Sequence, residues 1–154
     1  MQPELLYLVR HAKAGDRAAW VGDDHQRPLS GKGHTQAAAL ADHLAPLAGA
    51  TIVSSPFLRC IQTVTPLAER LGTTVTEDAR LAEDRGFDGA LELLATVPPG
   101  SVLCSHGDVI PETMAALERR GCRFVGPPDW RKGSVWVLQR VDGMVVDATA
   151  WPPP

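Results

Sequence analysis

The chain has few cysteines and they form no pattern: Cys60, Cys104 and Cys122 are odd in number, far apart and in no C-x-x-C pair. That argues against a disulfide framework or a zinc site and fits a reducing compartment. No apolar run approaches the length of a membrane span, and Met1-Gln2-Pro3-Glu4 does not open a basic segment leading into an apolar stretch. The expected location is therefore the cytoplasm. Positive charge is not in excess either, with 15 Lys and Arg against 18 Asp and Glu. This argues against a nucleic-acid or anionic-membrane partner while leaving room for a local cationic pocket.

Three chemistries lack their residues. No cysteine is followed six positions later by arginine, since Pro66, Ile110 and Pro128 stand there, and no Asp-x-Asp pair occurs. Gly31-Lys32-Gly33 lacks the first glycine and the hydroxyl of a P-loop. A cysteine nucleophile, an aspartate nucleophile and P-loop ATP hydrolysis are thereby set aside.

What is present is 154 residues, 44% of them hydrophobic, enough for one core and too few for two ordinary domains. The expected organisation is a single domain over residues 1–150 with a proline-rich tail at 151–154. Leu5 to Val9 reads as a strand buried on both faces, ending in Arg10-His11. A long polar loop follows to Gly33, the kind that is usually functional or mobile. Ser30 caps an expected helix whose apolar positions are Ala37, Leu40, Ala41, Leu44 and Leu47. Thr51 to Val53 is a second strand, and Pro56 to Leu71 a helix with Leu58, Ile61, Ala68 and Leu71 inward, kinked at Pro66 and ended by Gly72. A strand over Thr73 to Thr76 and a helix over Phe87 to Val97 come next. Val102 to Cys104 repeats the opening pattern, running into Ser105-His106-Gly107 and a helix with Ile110, Met114 and Leu117 aligned. Val135 to Leu138 and Met144 to Val146, joined through Asp142-Gly143, read as an antiparallel hairpin.

Alternating strands and helices imply an α/β layer fold, a three-layer sandwich around a mainly parallel sheet. In such a fold the loops after parallel strands gather at one edge, which would collect Arg10, His11, Ser54, Ser55, Arg59, Ser105 and His106. Two arginines and two histidines there make a cationic, hydrogen-bond-donating cup suited to a phosphoryl group. A neutral histidine in that cup is a nucleophile toward phosphorus, and Arg10 beside it disfavours the protonated form.

Four motifs stand in order: Leu8-Val9-Arg10-His11-Ala12, Arg27-Pro28-Leu29-Ser30-x-x-Gly33-x-x-Gln36-Ala37, Ser54-Ser55-Pro56-x-x-Arg59-x-x-Gln62-Thr63, and Ser105-His106-Gly107. Together they resemble the histidine phosphatase superfamily, related to phosphoglycerate mutase. The short chain and its opening are most similar to SixA-type phosphohistidine phosphatases and to the like domain fused to some Nudix hydrolases. The resemblance implies a phosphoglycerate mutase-like fold, transient phosphorylation of His11, a phosphate pocket completed by Arg10, Arg59 and His106, and no metal or other cofactor. It adds Glu83 as general acid, and Arg17, Arg27, Ser105 and Gly107 as substrate or phosphate contacts. The implied partner is a phosphorylated small molecule or phosphoprotein, the expected state a monomer. Lys13 stands where many relatives carry glutamate, which makes the pocket mouth more basic and favours substrates with additional negative charge.

Two other readings stay open. A metal hydrolase could use His11, His106, Asp108 and the Asp23-Asp24-His25 group, although the arginines would repel a cation. A catalytically silent phosphate-binding module would keep the cup without the reaction, and loss of activity with retained binding in His11→Ala separates it from an enzyme.

Overall fold

The computed structural model describes residues 2–154 and shows a seven-stranded mixed sheet. In chain order the strands are β1 (Glu4–Arg10), β2 (Ile52–Ser54), β3 (Val75–Glu77), β4 (Val102–Ser105), β5 (Arg123–Phe124), β6 (Val135–Val141) and β7 (Met144–Trp151). The helices are α1 (Gly31–Leu44), α2 (Leu58–Leu71), α3 (Asp88–Thr96) and α4 (Val109–Arg119). Spatially the strands run β3-β2-β4-β1-β6-β7-β5, with β3, β2, β4 and β1 parallel, β6 antiparallel to β1 and β7, and β5 parallel to β7.

The sandwich follows from the pleat of β1. Successive side chains point to opposite faces, so Tyr7 and Val9 join Leu40, Leu44, Val64 and Leu67 under α1 and α2. Leu6 and Leu8 join Leu91, Leu94, Ile110 and Met114 under α3 and α4. A strand buried on both faces needs the unbroken apolar run that the sequence shows.

Local signals explain most boundaries. The Ser30 hydroxyl accepts the Gly33 N–H at 3.1 Å and caps α1, and Gly72, at φ +68°, closes α2. Asp142 and Gly143 both take positive φ, the geometry of a two-residue hairpin turn. Pro66 sits inside α2 without interrupting it.

Four details depart from the sequence reading. Leu47 lies beyond the end of α1 and is 51% exposed. In α2 the buried stripe is Arg59, Cys60, Thr63, Val64, Leu67 and Ala68, while Leu58 and Ile61 are only half-buried. An apolar count misses that stripe because two of its members, Arg59 and Thr63, are polar and serve the site. β5 is too short to carry a periodic signal, and β7 extends to Trp151, the first residue of the segment read as a tail. No described helix is long and apolar enough to cross a membrane.

Candidate active site

The carboxyl ends of β1, β2 and β4 meet at one edge, and β1 hands its last residue to a clamp. Arg10 N–H donates to the Ser134 carbonyl at 3.1 Å and His11 N–H to the Ser105 carbonyl at 3.1 Å. The His11 ring is 5% exposed, and its Nδ1 lies 2.8 Å from the Ala12 carbonyl. A carbonyl can only accept, so Nδ1 carries the proton and the Nε2 lone pair is left free. Burial, assisted by the charges of His106, Arg59 and Arg10, pushes the imidazole from 6.5 down to about 3, although the Ala12 bond opposes the shift. His11 is thus a neutral base at neutral pH.

His11 lines a cleft of about 620 Å³ with Arg10, Lys13, Arg17, Arg27, Lys132 and Glu83. Arg10 lies flat on Gly107, where a Cβ would come within 2.6 Å of its guanidinium, and donates to the Trp130 carbonyl at 2.5 Å. Gly107 is therefore the bed of Arg10. His106 and Arg59 are fully buried at the back. The His106 ring stands edge-on to His11 at 5.5 Å, with its Nε2 2.8 Å from the Ser55 hydroxyl. Arg10 Nε, Arg59 Nε and His106 Nδ1 are buried and find no partner among the described residues. Unpaired polar groups converging on one site are costly unless a ligand satisfies them.

Arg59 also faces two carboxylates. Its guanidinium donates to the Asp24 carbonyl at 2.9 Å and to Asp24 Oδ2 at 3.1 Å, and stands 3.5 Å from Glu83 Oε1. Asp24 also takes the Arg27 Nε–H at 2.9 Å, while Arg27 gives a second bond to the Gly15 carbonyl at 2.6 Å. These arginines hold the Asp24 carboxyl below its usual range against the opposing effect of burial. Arg17, largely exposed, donates to Glu83 Oε1 at 3.0 Å. Ser105 is turned away from the cleft, its hydroxyl donating to the Leu81 carbonyl at 2.6 Å. Asp108 Oδ2 accepts the Asp84 N–H at 2.8 Å. Ser105 and Asp108 therefore hold the segment on either side of Glu83.

The glutamines, the threonine and the glycine of the second motif hold the loop after His11. Ala12 N–H donates to Thr63 Oγ1 at 2.9 Å, Lys13 N–H to Gln36 Oε1 at 3.0 Å, and Leu29 N–H to Gln62 Oε1 at 2.9 Å. At Gly33 a Cβ would lie 1.9 Å from the Lys13 carbonyl oxygen, so α1 can approach the loop only through a glycine. Cys60, packed at 3.5 Å from His106 Nε2, and Cys104 are fully buried.

Sequence reasoning overlooked Lys132 and the pairing of Asp24 with Arg59. Lys132 precedes β6, and β6 begins beside the end of β1 because the two strands are antiparallel, with Val9 opposite Val135. Nothing short of that pairing signals it. Asp24 sits in a loop without a period, and its carboxylate reaches α2 only through the fold. Among the described residues no three His, Cys, Asp or Glu side chains gather as a metal-binding group. The His11, His106 and Asp108 set considered above is not assembled.

A largely cationic cleft at the carboxyl edge of a doubly covered sheet, lined by a neutral histidine, is the arrangement expected of a histidine-type phosphatase domain. Residues 6–92 match the model of the histidine phosphatase superfamily (branch 1), and the chain belongs to that family. A curated relative, the 8-oxo-(d)GTP phosphatase of Mycolicibacterium smegmatis, is 35% identical across 97% of this chain, which spans about half (48%) of the relative's length. The protein histidine phosphatase SixA, solved with tungstate, superposes with a TM-score of 0.75 at 21% identity over 92% of each chain. A mycobacterial glucosyl-3-phosphoglycerate phosphatase solved with VO3 gives 0.72 at 21% identity over 98% of this chain and all (100%) of that one. These two structures share the fold.

Proposed function

We propose that the protein is a metal-independent phosphatase that hydrolyses a phosphomonoester or a protein phosphohistidine through a phosphohistidine on His11. The carrying observation is the His11 ring itself, neutral, held through Nδ1 by Ala12 with Nε2 left free, in the lining of the cleft. In the first step Nε2 forms a bond to phosphorus as the bond to the leaving oxygen or nitrogen breaks, and Glu83 gives the leaving group its proton. In the second step water attacks phosphorus, Glu83 takes the water's proton and the N–P bond breaks to release phosphate. Arg10, Arg59 and His106 supply charge and donors to the phosphoryl oxygens, Arg17 and Arg27 contact substrate, and Gly107 and Ser105 hold this machinery in shape. The cations around His11 disfavour a metal ion there. The domain acts as a cytoplasmic monomer on a phosphorylated small molecule or phosphoprotein, with no nucleic-acid or membrane partner.

The test is p-nitrophenyl phosphate hydrolysis in excess EDTA beside His11→Ala. Turnover that survives chelation and vanishes in the variant supports the reading. Turnover that needs a metal, or that persists without His11, overturns it, and phosphate binding without turnover in either protein favours the silent module.

A further inference from the structure

A second cleft, of about 540 Å³, opens off the first across Arg10, Lys13 and Lys132, which line both. It adds Lys32 and Arg131, and no Asp or Glu lines it. Lys13 and Lys32 make no ion pair among the described residues, and only Arg131 is matched, by Asp129 at 2.5 Å. On the floor lies Gln36, 8% exposed, whose Oε1 is spent on the Lys13 N–H, so that its amide N–H2 remains as a neutral donor. Pro153 and Pro154 complete the lining. Like charges crowded together cost free energy until an anion neutralises them. Lys132 registers that cost, its ammonium held below the usual range by burial and then by Arg10, Arg27, Lys13 and Arg17.

We infer that this cleft is a second anion subsite of the same active site, seating a further phosphate of a small molecule whose reacting phosphoryl group meets His11. The inference rests on the His11 reading and narrows it to substrates with at least two phosphates. Arg10, Lys13 and Lys132 lie between the two positions and touch both. The second phosphate is either joined directly to the reacting one or carried elsewhere on the substrate; the chemistry of recognition is the same.

Binding, rather than turnover, is the test. Isothermal titration at fixed ionic strength compares orthophosphate, pyrophosphate and propane-1,3-diyl bisphosphate on the wild type, on Lys32→Gln/Arg131→Gln and on the remote pair Arg70→Gln/Arg123→Gln. Wild type is expected to bind one of the two doubly phosphorylated probes about tenfold or more tighter than orthophosphate, and the probe with the larger advantage reveals the spacing. In Lys32→Gln/Arg131→Gln that advantage falls about fivefold or more while orthophosphate binding stays within about twofold. An unchanged advantage there, or an equal loss in the remote pair, overturns the subsite. Failure of the phosphatase reading shows separately, as absent p-nitrophenyl phosphate turnover.

Discussion

Thr63 lies on the buried face of α2, and its hydroxyl joins the nucleophile loop to the helix that carries Arg59. Oγ1 accepts the Ala12 N–H at 2.9 Å and donates to the Arg59 carbonyl at 2.7 Å. Thr63→Val keeps the shape and removes both bonds. The Arg59 carbonyl retains its helical N–H partner, but the Ala12 amide, in a residue with no exposure, has no water to turn to. An unpaired buried N–H costs about 1–3 kcal/mol. Taking about 2 kcal/mol, Tm falls by about 4–8 °C in a chain of this size. The same amide fixes the residue beside His11, so kcat on p-nitrophenyl phosphate is expected to fall about tenfold or more. Thr63→Ser retains the acceptor and loses a methyl group, about 1 kcal/mol, with kcat within about twofold of wild type. Calorimetry and steady-state kinetics on the three proteins read both effects. A Val variant with native Tm and kcat, or a Ser variant as impaired as Val, refutes the reasoning.

Two further outcomes follow from the same geometry. The folded-state pKa of His11 is depressed to about 3, so between about 6.5 and 3 the unfolded chain binds a proton that the folded protein does not, and stability falls as pH drops through that window. Between pH 7 and pH 5 this one group removes about 2 kcal/mol; urea unfolding should show a correspondingly shallower loss in His11→Gln, and an identical loss in both proteins contradicts the shift. Asp24 occupies donors of Arg59 that a phosphoryl group would use, so Asp24→Asn is expected to lower the inhibition constant of orthophosphate about threefold while costing about 1 kcal/mol of stability. Weaker phosphate inhibition in that variant would mean that Asp24 positions Arg59 rather than competing for it.

The elements that were legible in the sequence are those whose cause is local. The apolar run of β1, the Ser30 cap, the Gly72 stop and the Asp142-Gly143 turn each act through a residue's own side chain, φ preference or nearest neighbours. The register of α2 was not legible, because an inward face that contains Arg59 and Thr63 looks polar until the site it serves exists. Leu47 fails for the converse reason: it continues the period of α1, but the helix stops at Leu44.

The sequence by itself determined the layered α/β architecture and put Arg10, His11, Arg59 and His106 at the ends of strands or the first turn of a helix, from where a parallel sheet brings them to one edge. It did so because strand ends and helix starts are encoded over a few residues. Only the tertiary structure decided which atoms face the cleft. It turned the Ser105 hydroxyl toward Leu81, fixed the His11 tautomer through Ala12, set Asp24 against Arg59, and drew Lys132 beside Arg10 by pairing β6 with β1. Apart from the His11–Ala12 bond between neighbours, which depends on how the ring is packed, those contacts join residues far apart in the chain, and side-chain direction and charge proximity across such separations exist only once the layers have packed.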